Sequence, residues 1–370
     1  MSNKSLVRIQ KQLASGDLSS NEYYTRYEDI ANELSLYKEQ LEGKRIICPC
    51  DWDVSGERER ERTYQIIDND LWETTTSLIK KHTNNSKIQW VKTNERTKQK
   101  ILENGEKPPC NFWKYLINKM LSGWKIKSVT FSGYDPKTKN GIPFQEQDYS
   151  KYDVVITNPP FSLSKEFVDL LIKEKIKFLI ISSKMFANSA EASKHIVNQK
   201  LWLGYHMPDK YMMPYLTKNE YEKLDENSKK SIKWDSECYW NNKKGCYIKA
   251  IPAYWYTNLD VSYRHDLLVL NKKYKGHEKE FLKLSNFEGL FLEKTSDIPS
   301  DYDGLMAVPM SFLRQFNPNQ FEIIGGYDYW KKNWKQMKKK FPSNKYPKML
   351  GGPTPVVNGE RRAGRFIIKN

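Results

Sequence analysis

Asn158, Pro159, Pro160 and Phe161 stand in a row directly after the apolar run Asp153 to Thr157 (DVVIT). An asparagine amide carries an acceptor oxygen, and the carbonyl of the proline that follows it carries another. Prolines hold both acceptors rigidly, and the aromatic beside them presents a flat face. Two fixed acceptors and a ring suit an NH₂ group on a planar base. Accepting both of its hydrogens turns the nitrogen lone pair towards an electrophile while Phe161 stacks on the ring. Within a duplex such an amine is out of reach, so the base has to be flipped out at a cost of roughly a few kcal/mol. The electrophile that fits is the methyl of S-adenosylmethionine, and catalysis is then positioning and electrostatics without a covalent enzyme intermediate. Taken alone, Asn-Pro-Pro-aromatic also describes an ordinary turn.

The elements around the four residues favour chemistry. Asp153 to Thr157 does not alternate apolar with polar, which predicts a strand covered on both faces, as in a parallel sheet flanked by helices. Pro159 and Pro160 lack N–H groups and stop the ladder, so the chain leaves the sheet at Asn158, the carboxyl end where open α/β sheets bind their ligands. Upstream, Tyr23, Tyr27, Ile30, Ala31, Leu34, Tyr37 and Leu41 have the spacing of an amphipathic helix over Asn21 to Leu41, stopped by Gly43. KRIICPC (44–50) predicts a strand, NFWKYLINKML (111–121) a helix, and Ile126 to Phe131 a further strand. A helix over Lys165 to Lys173 and a strand over Ile176 to Ser182 follow the Asn158 turn. Strands alternating with helices imply an α/β fold with a Rossmann-like, mostly parallel sheet.

Between these elements, Val54 to Pro109 carries alternating charges and many Thr, Asn and Lys residues, and is expected to be an inserted, largely exposed excursion, helical in part over Tyr64 to Lys81. Its charge suggests a lid or a DNA-contact segment. After about Lys200 the texture changes to short runs rich in Tyr, Trp and Pro. Ala250 to Thr257, Leu267 to Leu270, Met306 to Pro309, Phe321 to Ile324 and Arg365 to Lys369 are expected to be short strands. The division implied is a catalytic part over 1–200, including the 54–109 excursion, and an irregular α+β region over 201–370.

The net charge of +16 is unevenly spread: 201–370 holds 29 Lys plus Arg against 19 Asp plus Glu, and 1–200 holds 32 against 26. Lys331 to Lys340 (KKNWKQMKKK) follows Tyr327, Tyr329 and Trp330, a pattern that suits either a polyanion such as nucleic acid or a solvated helix face. No apolar stretch approaches a spanning helix, and Met1 to Gln10 has no apolar signal core behind it, so a cytoplasmic protein without membrane contact is expected. Five cysteines, an odd number in a long chain, fit a reducing compartment. Cys48 and Cys50, or Cys238 and Cys246, are not spaced as a zinc knuckle, and no metal is expected.

At Asn158 to Phe161 the chain resembles the amino-methyltransferases of DNA, and within them the EcoRI-type adenine-specific DNA methyltransferase family. EYYT (22–25), with a helix ending in Leu-x-x-Tyr, resembles that family's N-terminal cofactor-contacting element. Cys50 and Asp51 after the first strand, with Asn111 and Phe112 opening the next helix, resemble its cofactor loop, split here by the excursion. MAVPMSFL (306–313), NPNQFEIIG (317–325) and PVVNG (355–359) resemble its C-terminal part. The catalytic motif is shared more widely; the C-terminal blocks make the resemblance specific.

The resemblance implies S-adenosylmethionine as cofactor, with Tyr24, Thr25, Pro49, Cys50, Asp51, Asn111 and Phe112 around it. It implies double-stranded DNA as partner, a target-recognition role for 201–370, and a prokaryotic or phage origin. A restriction endonuclease of matching specificity is compatible with it; a stable protein partner is not implied, and a monomer or weak dimer is expected. Asp148 sits where such enzymes hold the adenine amino group of the cofactor, or is a surface acid. Asp135 is a candidate for the ribose hydroxyls, or opens a turn with Pro136. Asp51 either accepts from the methionine ammonium or caps a helix. One departure stands out: Cys48 to Asp53 (CPCDWD) has no glycine where a glycine-rich turn usually lets backbone approach the ligand. Cytosine N4, an RNA base, a glutamine side chain, or a DNA-binding relative without catalysis are the alternatives to an adenine target.

Overall fold

The computed structural model describes residues 25–52, 59–77, 91–93, 110–135, 139–207, 211–234, 238–242, 245–333, 354–362 and 364–370. The chain forms two compact units, one of Met1–Ser164, Ile180–Lys184 and His206–Trp255, the other of Lys165–Leu179, Met185–Tyr205 and Tyr256–Asn370. No helix among the described residues is long and apolar enough to cross a membrane.

A nine-stranded sheet is assembled from β1 (Arg45–Cys48), β2 (Glu59–Ile67), β3 (Asp70–Ser77), β4 (Val91–Lys92), β5 (Ser128–Ser132), β6 (Val154–Thr157), β7 (Lys177–Ser183), β8 (Trp202–Leu203) and β9 (Ala253–Thr257). Its order is β8-β9-β7-β6-β1-β5-β2-β3-β4. At its centre β1 is parallel to β5 on one edge, Arg45 opposite Ser128 and Cys48 opposite Phe131, and parallel to β6 on the other, Ile46 opposite Val154. Ile46, Ile47, Cys48 and Val154 to Thr157 are buried without alternation, as strands covered on both faces require.

Helix α1 (Tyr27–Leu34), continued by turns over Ser35–Tyr37 and Lys38–Leu41, buries Ile30, Leu34, Tyr37 and Leu41 at helical spacing. Gly43, at φ 72°, ends it in the left-handed region that glycine enters freely. Helix α2 (Asn111–Leu121) buries Phe112, Trp113, Leu116, Ile117 and Met120, and the Cys110 sulfur caps it by accepting the Trp113 N–H at 3.3 Å.

The excursion departs from expectation. Its described part is sheet, not helix: β2 and β3 form an antiparallel hairpin around Asp68 and Asn69, at φ 50° and 63°. β2 also pairs antiparallel with β5, Tyr64 opposite Val129 and Glu61 opposite Ser132, with Thr63 and Thr130 hydroxyls 2.9 Å apart. Residues 78–90 and 94–109 lie outside the described residues. The charges of ERER hid a strand that is anchored on the core through single aromatic and apolar side chains. Tyr64, edge-on to both Trp113 and Phe131, and Leu71 are buried, whereas neighbouring side chains are not. The two-residue turn needs positive φ at both positions, which Asp and Asn tolerate better than most residues.

Ala250 to Thr257 is two strands, because Pro252 cannot donate to a ladder. Cys246–Ile251 belongs to a separate three-stranded sheet with Tyr211–Thr217 and Cys238–Asn241, and β9 begins at Ala253.

The second unit contains a five-stranded mixed sheet in the order 282–283, 290–291, 306–309, 365–369, 322–326. Leu284, Phe287, Phe291, Ile324, Trp330 and Ile367 are among its core, with Phe287 and Trp330 stacked at 5.7 Å. Trp330 is thus packing, not a face for a polyanion, and Lys332 bonds to Glu191 at 2.5 Å; residues 334–340 of the lysine run lie outside the described residues. Leu267 to Leu270 is no strand either. Leu267 and Val269 point outwards, and Gln320 holds the extended backbone, its Nε2 donating to the Leu268 carbonyl at 2.8 Å while its Oε1 accepts the Leu268 N–H at 2.7 Å. One side-chain amide replaces the neighbouring strand that the apolar run suggests.

Candidate active site

β1 lies between β5 and β6, and the chain goes first to one side of it and then to the other. The carboxyl ends of β1 and β6 therefore flank a topological switch point, the place where open α/β sheets leave a crevice for a ligand. All the groups described next belong to the first unit.

From β6, the ladder ends at Thr157, fully buried, and the prolines follow. Asn158 is half-buried, Pro159 buried, Pro160 exposed, and Phe161, half-buried, opens a short turn over Phe161–Leu163. From β1 come Pro49, buried, Cys50, half-buried, and Asp51, 8 % exposed. The Thr157 hydroxyl donates to Asp51 Oδ2 and accepts the Cys50 N–H at 3.2 Å. The Asp51 N–H donates to the Ser132 carbonyl at 3.2 Å, so the loop after β1 is tied to both neighbouring strands.

A glycine does serve this loop, but from the strand opposite. A Cβ on Gly133, just past β5, would collide with the Trp52 carbonyl oxygen. The loop Cys48 to Asp53 itself has no glycine; Gly133 instead lets the end of β5 pack closely against its backbone at Trp52. Trp52 packs on Phe131 at 6.1 Å, and the Arg62 guanidinium, from β2, lies 5.1 Å from the Trp52 ring. On a third side, Asn111 at the start of α2 donates from Nδ2 to the carbonyl of Thr25, itself buried, at 2.8 Å. Burial pushes the Cys48 thiol well above its usual range, and the charge of Asp51 and the thiols of Cys110 and Cys50 add to the shift. Cys48 is held as a neutral thiol, not a nucleophile.

The structure thus brings Cys50 and Asp51, next to Pro49, onto Thr157, the residue before Asn158, and Asn111 onto Thr25. Tyr24 lies outside the described residues. Phe112 is buried edge-on against Trp255, 6.1 Å between ring centroids. Asp135 sits half-buried in a two-residue ladder opposite Asn140. Asp148 is exposed; it caps the turn Tyr149–Lys151, accepting from the Ser150 N–H at 3.2 Å and the Ser150 hydroxyl at 2.6 Å, and pairs with Lys151 at 3.2 Å. Those bonds, Ser150 foremost, hold its carboxyl below the usual range. Thr157, Gly133 and Arg62 are the contributors that motif reading passed over.

The donor set fits S-adenosylmethionine. A buried carboxylate at Asp51 matches an ammonium, and loop backbone at the carboxyl end of β1 lies where a ligand is approached closely.

A family model described as "Adenine-specific methyltransferase EcoRI" matches residues 14–370. The chain is 32% identical over 305 residues to the type II methyltransferase M.EcoRI of Escherichia coli, covering 82% of this chain and 85% of that protein. It is 27% identical over 358 residues to M.MgeORF184P of Mycoplasma genitalium and 27% over 352 residues to M.MpnI of Mycoplasma pneumoniae, with 95% of each chain covered in both cases. No solved structure matches significantly.

Proposed function

The chain belongs to the EcoRI family of adenine-specific methyltransferases, and from that premise we propose that it methylates N6 of an adenine flipped out of a specific site in duplex DNA. The observation that carries the mechanism is the end of β6: a buried strand that stops at Thr157 and hands over to Asn158 and two prolines at the switch point.

In this proposal the Asn158 side-chain oxygen and the Pro159 carbonyl accept the two N6 hydrogens, Pro160 keeps the backbone from relaxing, and Phe161 stacks on the adenine. Bound S-adenosylmethionine supplies an electrophilic methyl group. Asp51 receives its ammonium, with Pro49, Cys50, Thr25 and Asn111 forming the walls; Tyr24, Phe112, Asp135 and Asp148 complete the proposed set. Asp135 is the ribose candidate, and Asp148 the candidate for the cofactor's adenine, a role that requires its carboxylate to leave Ser150. Drawing both N6 hydrogens towards acceptors localises the lone pair for attack, and one proton is lost to solvent afterwards.

We assign the methyltransferase fold, with its Rossmann-like arrangement, to the nine-stranded sheet on the strength of the switch point at β1. Residues 1–200 are proposed as the catalytic part and 201–370 as the target-recognition region, the latter supported by its surplus of basic side chains. Incubation with methyl-labelled S-adenosylmethionine and mixed-sequence duplex DNA, followed by digestion to nucleosides, is expected to yield N6-methyladenine in one sequence context. Label in cytosine, or only in RNA, overturns the assignment.

A further inference from the structure

Asn158 and Asp51 arise from strands far apart in sequence, yet transfer requires the amine and the cofactor to be held in one geometry. The residue between them is Thr157. It is fully buried at the last position of β6, and its hydroxyl is used in both senses, accepting from the Cys50 N–H at 3.2 Å and donating to Asp51 Oδ2. The direction of the two bonds is forced. A backbone N–H can only donate, so the hydroxyl accepts there and spends its single hydrogen on the carboxylate. The next residue along the chain is Asn158.

We propose that Thr157 is the positioning residue that couples the cofactor loop to the amine-holding motif, orienting the Asp51 carboxylate and fixing its placement relative to Asn158. This rests on the assignment of S-adenosylmethionine to the cradle. The opposite edge of the loop is already fixed by the Asp51 N–H on Ser132 and by the approach of Gly133 to Trp52. The Thr157 hydroxyl ties the same loop to the end of the catalytic strand, so its removal leaves the contact with β5 and the β1–β6 ladder in place but loosens the alignment of Asp51 with Asn158. Valine has nearly the shape of threonine and neither donates nor accepts. Its introduction leaves the strand packed while depriving the half-buried Cys50 and the buried Asp51 carboxylate of a shared partner, a loss that weighs most where a charged group is involved.

Two readouts on the full-length protein test this. One is the affinity for S-adenosylhomocysteine by calorimetry; the other is the single-turnover rate of methyl transfer to duplex DNA with S-adenosylmethionine saturating. Thr157→Val is expected to weaken S-adenosylhomocysteine binding about tenfold and to slow transfer at least as much, with DNA affinity within about threefold of the parent. Thr157→Ser, which keeps the hydroxyl, is expected to restore both to within about threefold. In an Asp51→Asn background, Thr157→Val is expected to cost little further affinity, because the two residues act as one unit. If Thr157→Val does not fold, Thr157→Ala takes its place against Thr157→Ser. Val or Ala with unchanged affinity and rate, Ser losing as much as Val, or additive losses with Asp51→Asn overturns the proposal. A parent protein that binds S-adenosylhomocysteine but leaves N6 of adenine unmodified overturns the adenine assignment, while the affinity series still decides the role of Thr157.

Discussion

β1 and β6 are fastened to each other at both ends, and the two fastenings differ in kind. At the amino ends, Arg45 and Asp153 meet through three bonds: the Arg45 N–H to Oδ2 at 2.8 Å, Nε to Oδ2 at 3.0 Å, and Nη2 to Oδ1 at 2.9 Å. Those side chains are 40 % and 34 % exposed, so water competes for both charges. At the carboxyl ends, Thr157, fully buried, joins Asp51, 8 % exposed, and the half-buried Cys50. The first fastening has the better ionic geometry and the smaller consequence. In water a charged pair can be replaced by hydration, whereas a fully buried hydroxyl bonded to a carboxylate is much harder for water to replace. The end proposed to bind the cofactor is therefore joined through short polar groups that burial makes expensive to misplace, and the far end through a partly solvated ion pair.

The most severe way to sharpen that contrast is Asn158→Ala. Loss of one of two acceptors is expected to lower the methyl-transfer rate about 10²- to 10³-fold with duplex DNA affinity retained. Asp153→Ala, at the other end of the same strand, is expected to leave the rate within about twofold, the measure being single-turnover transfer in both cases. Equal losses in the two variants would erase the functional distinction between the ends, and full turnover in Asn158→Ala would remove the amine-holding role.

Gly133→Ala is expected to come next. The added Cβ meets a backbone oxygen that has no rotamer to adopt, so either the Trp52 segment or the end of β5 moves. A destabilisation of about 1–3 kcal/mol follows from overpacking of this kind, visible as a lower Tm, together with weaker S-adenosylhomocysteine binding because Asp51 adjoins Trp52. An alanine variant with parental Tm and affinity would show that the loop is not braced from β5.

What was legible in the sequence sits where local chemistry decides structure. Two prolines end a strand wherever they fall, so the exit at Asn158 was readable. Helix α2 announces itself by six apolar residues on one face. Thr157 and Asp51, 106 residues apart, meet only because β1 and β6 are neighbours, and no spacing rule marks that pair. Gly133 stands outside the loop it serves, so a search for glycine within Cys48 to Asp53 could not find it. The hairpin was masked by the charged ERER run, whose charges dominate any composition count, although Asp68-Asn69 between Thr-, Ile- and Trp-containing segments was a usable turn signal. Trp330 beside lysines suggests a nucleic-acid face, yet the ring is core, Tyr329 packs against the same cluster, and the exposed neighbours are Lys331 and Lys332. Amphipathic residues near charges are ambiguous until the packing partner, here Phe287, is known.

The smallest expected effect belongs to the amino end and carries its own pH signature. Arg45, by direct hydrogen bonds, holds the Asp153 carboxyl down at about 2, against an ordinary aspartate near 3.9. A carboxyl depressed in the folded state stabilises the protein above its unfolded value and loses that contribution as pH falls towards the folded one. Asp153→Asn is therefore expected to cost under about 1 kcal/mol at neutral pH, the pair being one-third or more exposed on both sides. The gap between parent and variant in urea unfolding is expected to stay flat down to about pH 5 and to close between about pH 4 and about pH 2. A gap that persists unchanged through that window would mean that Asp153 acts by shape rather than charge. S-adenosylhomocysteine affinity altered by the same substitution would mean that the two ends of the strands are coupled, and that the amino-end pair does more than fasten its own end.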